Sequence, residues 1–279
     1  MLRCVWRGDL GAMRIPVPDE CYDLVWVRDG SIWLSGPETT SWSRGYPPGS
    51  HAVGVRFGPG AGPAVVGVAG SDVRDARIRL DDVWPDRDVR ELAGRVGEQP
   101  GDGGRIRAIE DALRCREHGA RPVDAVALAV ASEVGRVNPA SVREVARAMG
   151  MSERQVHRRC NSAFGYGPAM LSRMLRLHRA LRLARSDRRR VRLADLAVAS
   201  GYFDQQHLAR EVQAIFGLTA STLFSAVTSD PYKTRPPGAP DDAAMSSPAC
   251  SGHRERARTG RGAWSGVRAG PAPAVKEAR

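Results

Sequence analysis

The most informative residues of the 279-residue chain are Gly201-Tyr202-Phe203-Asp204-Gln205-Gln206-His207-Leu208. A glycine that can end one helix is followed by a short turn, and Asp204 is a residue type that caps the start of the next helix. An upstream counterpart reads Gly150-Met151-Ser152-Glu153-Arg154-Gln155-Val156-His157. Each stretch has the outline of a helix-turn-helix, a motif whose second helix can lie in the major groove of DNA.

The two copies agree position by position. In each, a supporting helix with an apolar stripe precedes the glycine, and the first copy opens both of its helices with capping boxes, Ser141 with Glu144 and Ser152 with Gln155. The turn of the second copy is one residue longer. The second helix of each copy places apolar residues at matching positions, namely Val156, Cys160, Ala163 and Phe164 in the first and Leu208, Val212, Ile215 and Phe216 in the second.

The opposite faces of these second helices are polar and predict contacts with DNA bases. We call their residues the recognition surface: Arg154, His157, Arg158 and Asn161 in the first copy, and Gln205, Gln206, Ala209, Arg210 and Gln213 in the second. Arginine can donate two hydrogen bonds to guanine, glutamine or asparagine can pair with adenine, and alanine can touch a thymine methyl. A merely solvated face is the alternative for one amphipathic helix, but two matching copies favour DNA recognition.

The segment between the copies and the distribution of charge support the same partner. The pattern predicts a helix from Pro168 to about Ser186, which at about 1.5 Å per residue could hold two recognition helices roughly one DNA turn apart. The net charge of +11 is concentrated in residues 138–229, which carry +9, whereas residues 1–100 carry −2. This asymmetry fits neutralisation of phosphates, and a loop containing Arg188, Arg189, Arg190 and Arg192 is expected to contact the DNA backbone.

Residues from about 138 to 224 resemble the DNA-binding domain of the AraC/XylS family of bacterial transcription regulators. The resemblance lies in the two helix-turn-helix units, the joining helix, the 201–208 string and the closing Phe216-Gly217-Leu218-Thr219. It implies that the outward residues of both recognition helices contact bases. Three positions depart from the family pattern, which mostly has phenylalanine, another aromatic residue and proline where this chain has Cys160, Val212 and Ala220. These departures predict thinner packing beneath the helices and leave the recognition surface intact.

The first hundred residues predict a β-rich domain. A hairpin is expected from Tyr22–Arg28 and Ser31–Ser35 around a type I′ turn at Asp29-Gly30, and a second pair from His51–Phe57 and Pro63–Ala69. Residues 72–80 are expected to add a strand. Short strands of this kind suggest a small barrel or sandwich, in which tryptophans 26, 33 and 42 either fill the core or line a pocket. Residues 18–26 and 54–61 resemble an uncharacterised N-terminal domain found in one branch of the same regulators.

The predicted fold class is therefore multi-domain α+β. Residues 1–100 form the β-rich domain, which in the wider family senses an effector or dimerises. Residues 101–137 form a helical connector, and residues 138–229 form the all-α DNA-binding domain with two helix-turn-helix units joined by a long helix. Residues 230–279 change to proline, glycine, alanine, serine and arginine without periodicity, which predicts a disordered tail.

Composition narrows the class of protein further. The five cysteines are scattered without a C-x-x-C pair or a histidine cluster, which predicts a reducing cytoplasm, no metal and no cofactor. The start of the chain lacks the apolar core of a signal peptide, and no run approaches about 20 apolar residues, so no membrane association is expected. The expected partners are double-stranded DNA, with RNA polymerase and a small-molecule effector as further candidates. The protein would act as a monomer or a homodimer.

The leading hypothesis is a sequence-specific DNA-binding transcription regulator and not an enzyme. The alternative is a DNA-repair methyltransferase, or another enzyme, that carries an AraC-type DNA-binding domain. Such an enzyme needs an activated cysteine or a metal site. Cys21 is a poor candidate because the neighbouring carboxylates of Asp19 and Asp23 would raise its pKa, and Cys4 and Cys115 have no supporting motif. No catalytic residue is predicted.

Overall fold

The computed structural model describes residues 2–10, 16–41, 50–117, 122–186 and 192–229. Its strands are β1 Leu2–Leu10, β2 Asp23–Val27, β3 Ile32–Ser35, β4 Ser50–Phe57 and β5 Arg77–Arg79. Its helices are α1 Gly62–Val66, α2 Asp86–Gly97, α3 Asp102–Glu117, α4 Ala125–Val134, α5 Val142–Ala148, α6 Glu153–Phe164, α7 Pro168–Ser186, α8 Leu193–Ser200, α9 Gln205–Phe216 and α10 Ala220–Ser229. The predicted tail, Trp42 and the run Arg188–Arg190 lie outside the described residues.

The strands form one antiparallel sheet in the order β1-β4-β2-β3-β5. One face is covered by α1, α2 and α3, whose apolar residues join those of the strands in a first core. This helical layer takes the place of the second sheet of a sandwich, and β1 and β5 are the two edges of the described sheet. Trp26 belongs to this core and Trp33 packs on the opposite face, so these two tryptophans have structural roles.

Three local predictions in this region were wrong. Residues 62–66 form a helix, because Pro63 occupies its first turn, where a proline is tolerated, and the partners of β4 are β1 and β2. Residues 72–80 contribute only β5, flanked by 3₁₀ turns at Gly70–Asp72 and Leu80–Asp82. The β2–β3 hairpin is confirmed, but only Gly30 of its turn has a positive φ, at 88°, whereas a type I′ turn needs two such residues.

The predicted connector divides between two cores. Helix α3 packs against β4, and its Ile106, Ile109 and Leu113 are buried in the first core. Helix α4 instead buries Ala127 and Val130 in a second core, which is formed by α4 to α10. We refer to β1 to α3 as the N-terminal module and to α4 to α10 as the C-terminal module.

The joining helix α7 organises the C-terminal module. It has 19 residues, as the sequence predicts, and its buried side contacts α4, α6, α8 and α10. Its buried apolar residues are Leu171, Met174, Leu177, Ala180, Leu181 and Ala184. The predicted class is confirmed: a β-rich N-terminal module, connecting helices, and an all-α module with two helix-turn-helix units joined by a long helix.

Candidate nucleic-acid interface

The first helix-turn-helix consists of α5 and α6, and both helices begin with the predicted capping boxes. The Ser141 hydroxyl accepts from the N–H of Glu144, whose carboxylate accepts in return from the Ser141 N–H at 2.8 Å. Ser152 and Gln155 repeat the arrangement at the start of α6. Between the helices, Gly150 has a φ of +63°, a backbone conformation that favours glycine.

The second helix-turn-helix consists of α8 and α9. Gly201 ends α8 with a φ of +88°. The Asp204 carboxylate then accepts a 2.6 Å hydrogen bond from the N–H of His207, which caps α9 as predicted. The matching apolar positions of α6 and α9 are all buried, with Val156, Cys160, Leu208 and Val212 fully inaccessible to solvent.

The residues of the recognition surface lie on the faces of α6 and α9 that point away from the second core, except for Ala209, which packs against that core. Arg154, His157 and Arg158 are exposed on α6, and Asn161 is half-buried. On α9 four are exposed and Ala209 is half-buried; the exposed four are Gln205, Gln206, Arg210 and Gln213. A side chain at position 167 would lie 2.9 Å from the His157 ring, so Gly167 leaves room for that ring beside the turn into α7.

The arginines of α6 and α9 fall into two groups. Among the described residues, Arg154, Arg158 and Arg210 have no hydrogen-bond or ion-pair partner. Arginines that pack within the module are paired, as in the 2.7 Å contact between Arg159 and the cap residue Asp124 of α4. The arginines on the recognition helices with free guanidinium groups are therefore those that the sequence predicts to face DNA.

A buried carboxylate fixes α9 against α7. Glu211 is 6% exposed and accepts from the Tyr202 hydroxyl at 3.1 Å, and the guanidinium groups of Arg173 and Arg176 lie 3.4 and 3.9 Å away. The pKa of Tyr202 is raised by burial and further by the negative charge of Glu211. This network was not predicted from the sequence, although a glutamate on the apolar side of an amphipathic helix is a signal for a buried ion pair.

Segments of the N-terminal module contact the C-terminal ends of the recognition helices. The Ser41 N–H donates to the carbonyl of Ile215 in α9 at 2.8 Å, and Arg74 donates to the carbonyl of Gly165, which ends α6, at 3.3 Å. Gly70 lies so close that an added Cβ would be 2.3 Å from the Gly165 nitrogen. Pro18 adds a contact to α7, because its carbonyl accepts from Nε2 of His178 at 2.8 Å. We call Pro18, Ser41, Gly70 and Arg74 the brace.

The cysteines on which the alternative enzymatic hypothesis depends differ in accessibility, since Cys4 and Cys115 are exposed. Cys21 is buried, and burial together with the charge of Asp124 raises the pKa of Cys160 to about 12. Among the described residues, no group of three or more histidine, cysteine, aspartate and glutamate side chains could hold a metal ion. None of the described helices has the length and apolar character needed to cross a bilayer.

Comparison with known proteins identifies the C-terminal module. A family model described as a helix-turn-helix domain matches residues 145–226, which cover both tandem units. These residues form an AraC-type helix-turn-helix domain. The AraC-type domain supports a DNA-binding transcription regulator. No curated protein is similar enough to the chain to count as a match.

Solved structures of ToxT from Vibrio cholerae share similarity over most of the chain. ToxT from strain O395 is 11% identical with a TM-score of 0.42, and the alignment covers 81% of this chain and 97% of ToxT. Wild-type ToxT from strain SCE256 bound to an unsaturated fatty acid is 10% identical with a TM-score of 0.43, and the alignment covers 82% and 96% of the two chains.

Proposed function

We propose that this chain is a sequence-specific transcription regulator that inserts α6 and α9 into successive major grooves on one side of the DNA duplex. The recognition surface would supply the base contacts: arginine to guanine, glutamine or asparagine to adenine, and Ala209 to a thymine methyl. These side chains lie within the first three turns of α6 and α9, and the early turns are where recognition helices meet base edges.

The partition of the arginines on α6 and α9 is the observation that carries this proposal, although exposed arginines without a hydrogen-bond or ion-pair partner among the described residues also occur on α5 and α7, at Arg143, Arg147 and Arg182. An arginine in a structural role is paired or packed, as Arg159 is with Asp124. Arg154, Arg158 and Arg210 are exposed and have no partner among the described residues. Each lies on a helix whose first turn is held in place by a capping side chain. A fixed backbone with a free guanidinium group is the arrangement that bidentate contact with guanine or phosphate requires.

The length of α7 fits the spacing of two grooves. Its 19 residues correspond to about 28 Å at about 1.5 Å per residue, and successive major grooves on one face of B-DNA are about 34 Å apart. Because α6 precedes α7 and α8 packs against α7, this helix sets the separation of the two units. One chain would therefore span two groove segments without a second copy.

We further propose that the N-terminal module modulates the C-terminal module, either by sensing a small molecule or by controlling assembly of the chain as a monomer or homodimer. The brace supports this because it joins the module to α6, α7 and α9, so a change in the module acts on both recognition helices. RNA polymerase is the expected protein partner, and the cytoplasm is the expected compartment. The domain bounds at residues 100, 137 and 229 stay predictions.

The test is selection of binding sites from a random duplex library with the full chain, followed by titration of Arg158→Ala and Arg210→Ala on the enriched duplex. Each substitution is expected to cost about 1–3 kcal/mol at the enriched site and to relax the preference at one base position. The matched control is Arg87→Ala, which removes an exposed arginine from α2 and changes the net charge equally.

Two results would contradict the proposal. One is a library in which the wild-type chain enriches no sequence. The other is an equal loss of affinity for R158A, R210A and R87A on every duplex, which would show that the arginines contribute only through overall charge.

A further inference from the structure

The turn of the second helix-turn-helix contains one residue that the first copy lacks, and backbone hydrogen bonds identify it. The Met151 N–H donates to the Ala146 carbonyl at 2.9 Å, and the Tyr202 N–H donates to the Ala197 carbonyl at the same distance. Met151 and Tyr202 therefore occupy equivalent positions. In the first copy the cap Ser152 follows at once, whereas in the second Phe203 intervenes before the cap Asp204.

Phe203 differs in burial from Met151 and Tyr202, the equivalent turn residues of the two copies. Met151 packs against the second core, and its equivalent Tyr202 is 4% exposed. Phe203 is 89% exposed, the largest exposed fraction among the large apolar side chains of the described residues. The core packing of the turn is thus complete without Phe203, and the inserted side chain extends into solvent.

The backbone on either side of Phe203 is held in place. Tyr202 on one side is buried and hydrogen-bonded to Glu211, and Asp204 on the other caps α9 through the N–H of His207. The His207 ring also packs edge-on against the Tyr202 ring, with 5.2 Å between centroids. The position of the Phe203 Cα is therefore as well fixed as the start of α9, and only the ring is free to move.

Phe203 lies at the end of α9 that faces DNA in the proposed function. It is next to the cap and within three residues of Gln205 and Gln206, both of which are exposed. The major groove presents one apolar group, the C5-methyl of thymine, and phenylalanine is among the side chains that contact it. We propose that Phe203 is a specificity-determining residue that packs on a thymine methyl beside the bases contacted by Gln205 and Gln206. This inference rests on the proposed function.

The experiment uses the full chain and the duplex enriched from the random library. Each thymine of that duplex is replaced in turn by deoxyuridine, which removes the methyl and keeps the base pair. Apart from the thymine assigned to Ala209, wild-type protein is expected to lose about fourfold in affinity at one further thymine, since a buried methylene-sized group contributes about 0.8 kcal/mol. Phe203→Ala is expected to bind the thymine and deoxyuridine duplexes equally well at that position.

Two variants serve as controls. Phe203→Leu keeps an apolar side chain and is expected to retain part of the sensitivity to the methyl. Val198→Ala removes the next most exposed large apolar side chain, which is 66% exposed on the supporting helix α8, and is expected to respond to deoxyuridine as the wild type does. Because the Phe203 side chain is 89% exposed, its substitution is expected to leave the fold intact.

The outcomes separate the inference from the function on which it rests. Absence of an enriched sequence for the wild type contradicts the proposed function itself. An enriched sequence with an equal response to deoxyuridine in the wild type and in F203A overturns the assignment of Phe203 and leaves the proposed function standing. Unchanged DNA affinity in F203A also overturns it and directs attention to a protein partner for this ring.

Discussion

The backbone N–H of Ser41 donates a 2.8 Å hydrogen bond to the carbonyl of Ile215, the second-to-last residue of α9. The last four carbonyls of a helix have no donor within the helix, and here the N-terminal module supplies one. Arg74 does the same at the end of α6 by donating to Gly165. Both recognition helices thus end on groups from the other module, while their first turns stay exposed.

Replacing Ser41 with proline tests whether this hydrogen bond stabilises α9. Proline lacks the N–H, so we expect a loss of about 1 kcal/mol in the free energy of unfolding and faster hydrogen exchange in the last turn of α9. Ser41→Ala retains the N–H and is the control, with exchange unchanged. Equal exchange rates in both variants would show that the contact contributes nothing to the helix end.

The close approach of Gly70 to Gly165 predicts a large effect of a single methyl group. An alanine Cβ at position 70 would lie 2.3 Å from the Gly165 nitrogen, so we expect Gly70→Ala to destabilise the protein by about 1–3 kcal/mol through overpacking. Gly94→Ala is the control, because its Cβ meets nothing within 4 Å on the exposed side of α2. That substitution should stabilise by about 0.5–1 kcal/mol. Urea unfolding measures both, and a neutral G70A would contradict the contact.

The Glu211 network predicts unequal effects for its two ends. Glu211→Ala leaves Arg173 and Arg176 without their carboxylate, and we expect a cost of about 2–3 kcal/mol. Tyr202→Phe removes only one hydroxyl and should cost about 1 kcal/mol. Because the two groups share a hydrogen bond, the double variant should cost less than the sum. Strict additivity in a thermodynamic cycle would argue against a shared network.

Asp124 predicts a dependence of stability on pH. Burial raises the pKa of this carboxyl, but hydrogen bonds from Ala127 and Arg159 outweigh burial and leave the pKa below its ordinary value. Its contribution is therefore present above the unfolded pKa of about 3.9 and is lost as pH falls through the lower folded value. At pH 7, Asp124→Ala should cost about 1 kcal/mol as a lost helix cap.

The measurement for Asp124 is the difference in unfolding free energy between wild type and D124A across pH. That difference should be constant from pH 7 to about 5 and should narrow below about 4. Asp111→Ala, at an exposed position on α3, is the control and should give a small difference throughout. A difference in unfolding free energy that grows as the pH falls would mean that the Asp124 carboxyl is protonated more readily in the folded state than in the unfolded state.

The C-terminal module was predictable because its signals are local. Caps such as Ser152 and Asp204 act on amides two or three residues away, and the glycines at 150 and 201 mark positions where φ must be positive. Helical spacing then separates buried from exposed positions. The accessible faces of α6 and α9 agree with this pattern, while their contacts with bases stay a prediction.

The N-terminal module was less predictable because its strand partners are distant in sequence. Strand β1 pairs with β4 across about fifty residues, and the apolar run after Gly62 fits a strand or a helix equally well by periodicity. The contacts of the brace could not be predicted for the same reason, because they join residues that are distant in sequence. Its donors are a backbone amide and an arginine in irregular segments, and no local pattern indicates that these reach α6 or α9.

The placement of α4 in the second core bears on how the DNA-binding half can be isolated. A fragment that begins at Asn138, where the resemblance begins, would lack α4 with its buried residues Ala127, Val130 and Val134. The apolar surfaces of α6 and α7 that α4 covers would then be exposed to water. This exposed apolar surface would promote self-association of the fragment, so the oligomeric state of the fragment would not report that of the whole chain. A shortened protein that starts just before Asp124, the cap of α4, keeps α4 and its buried residues in the second core.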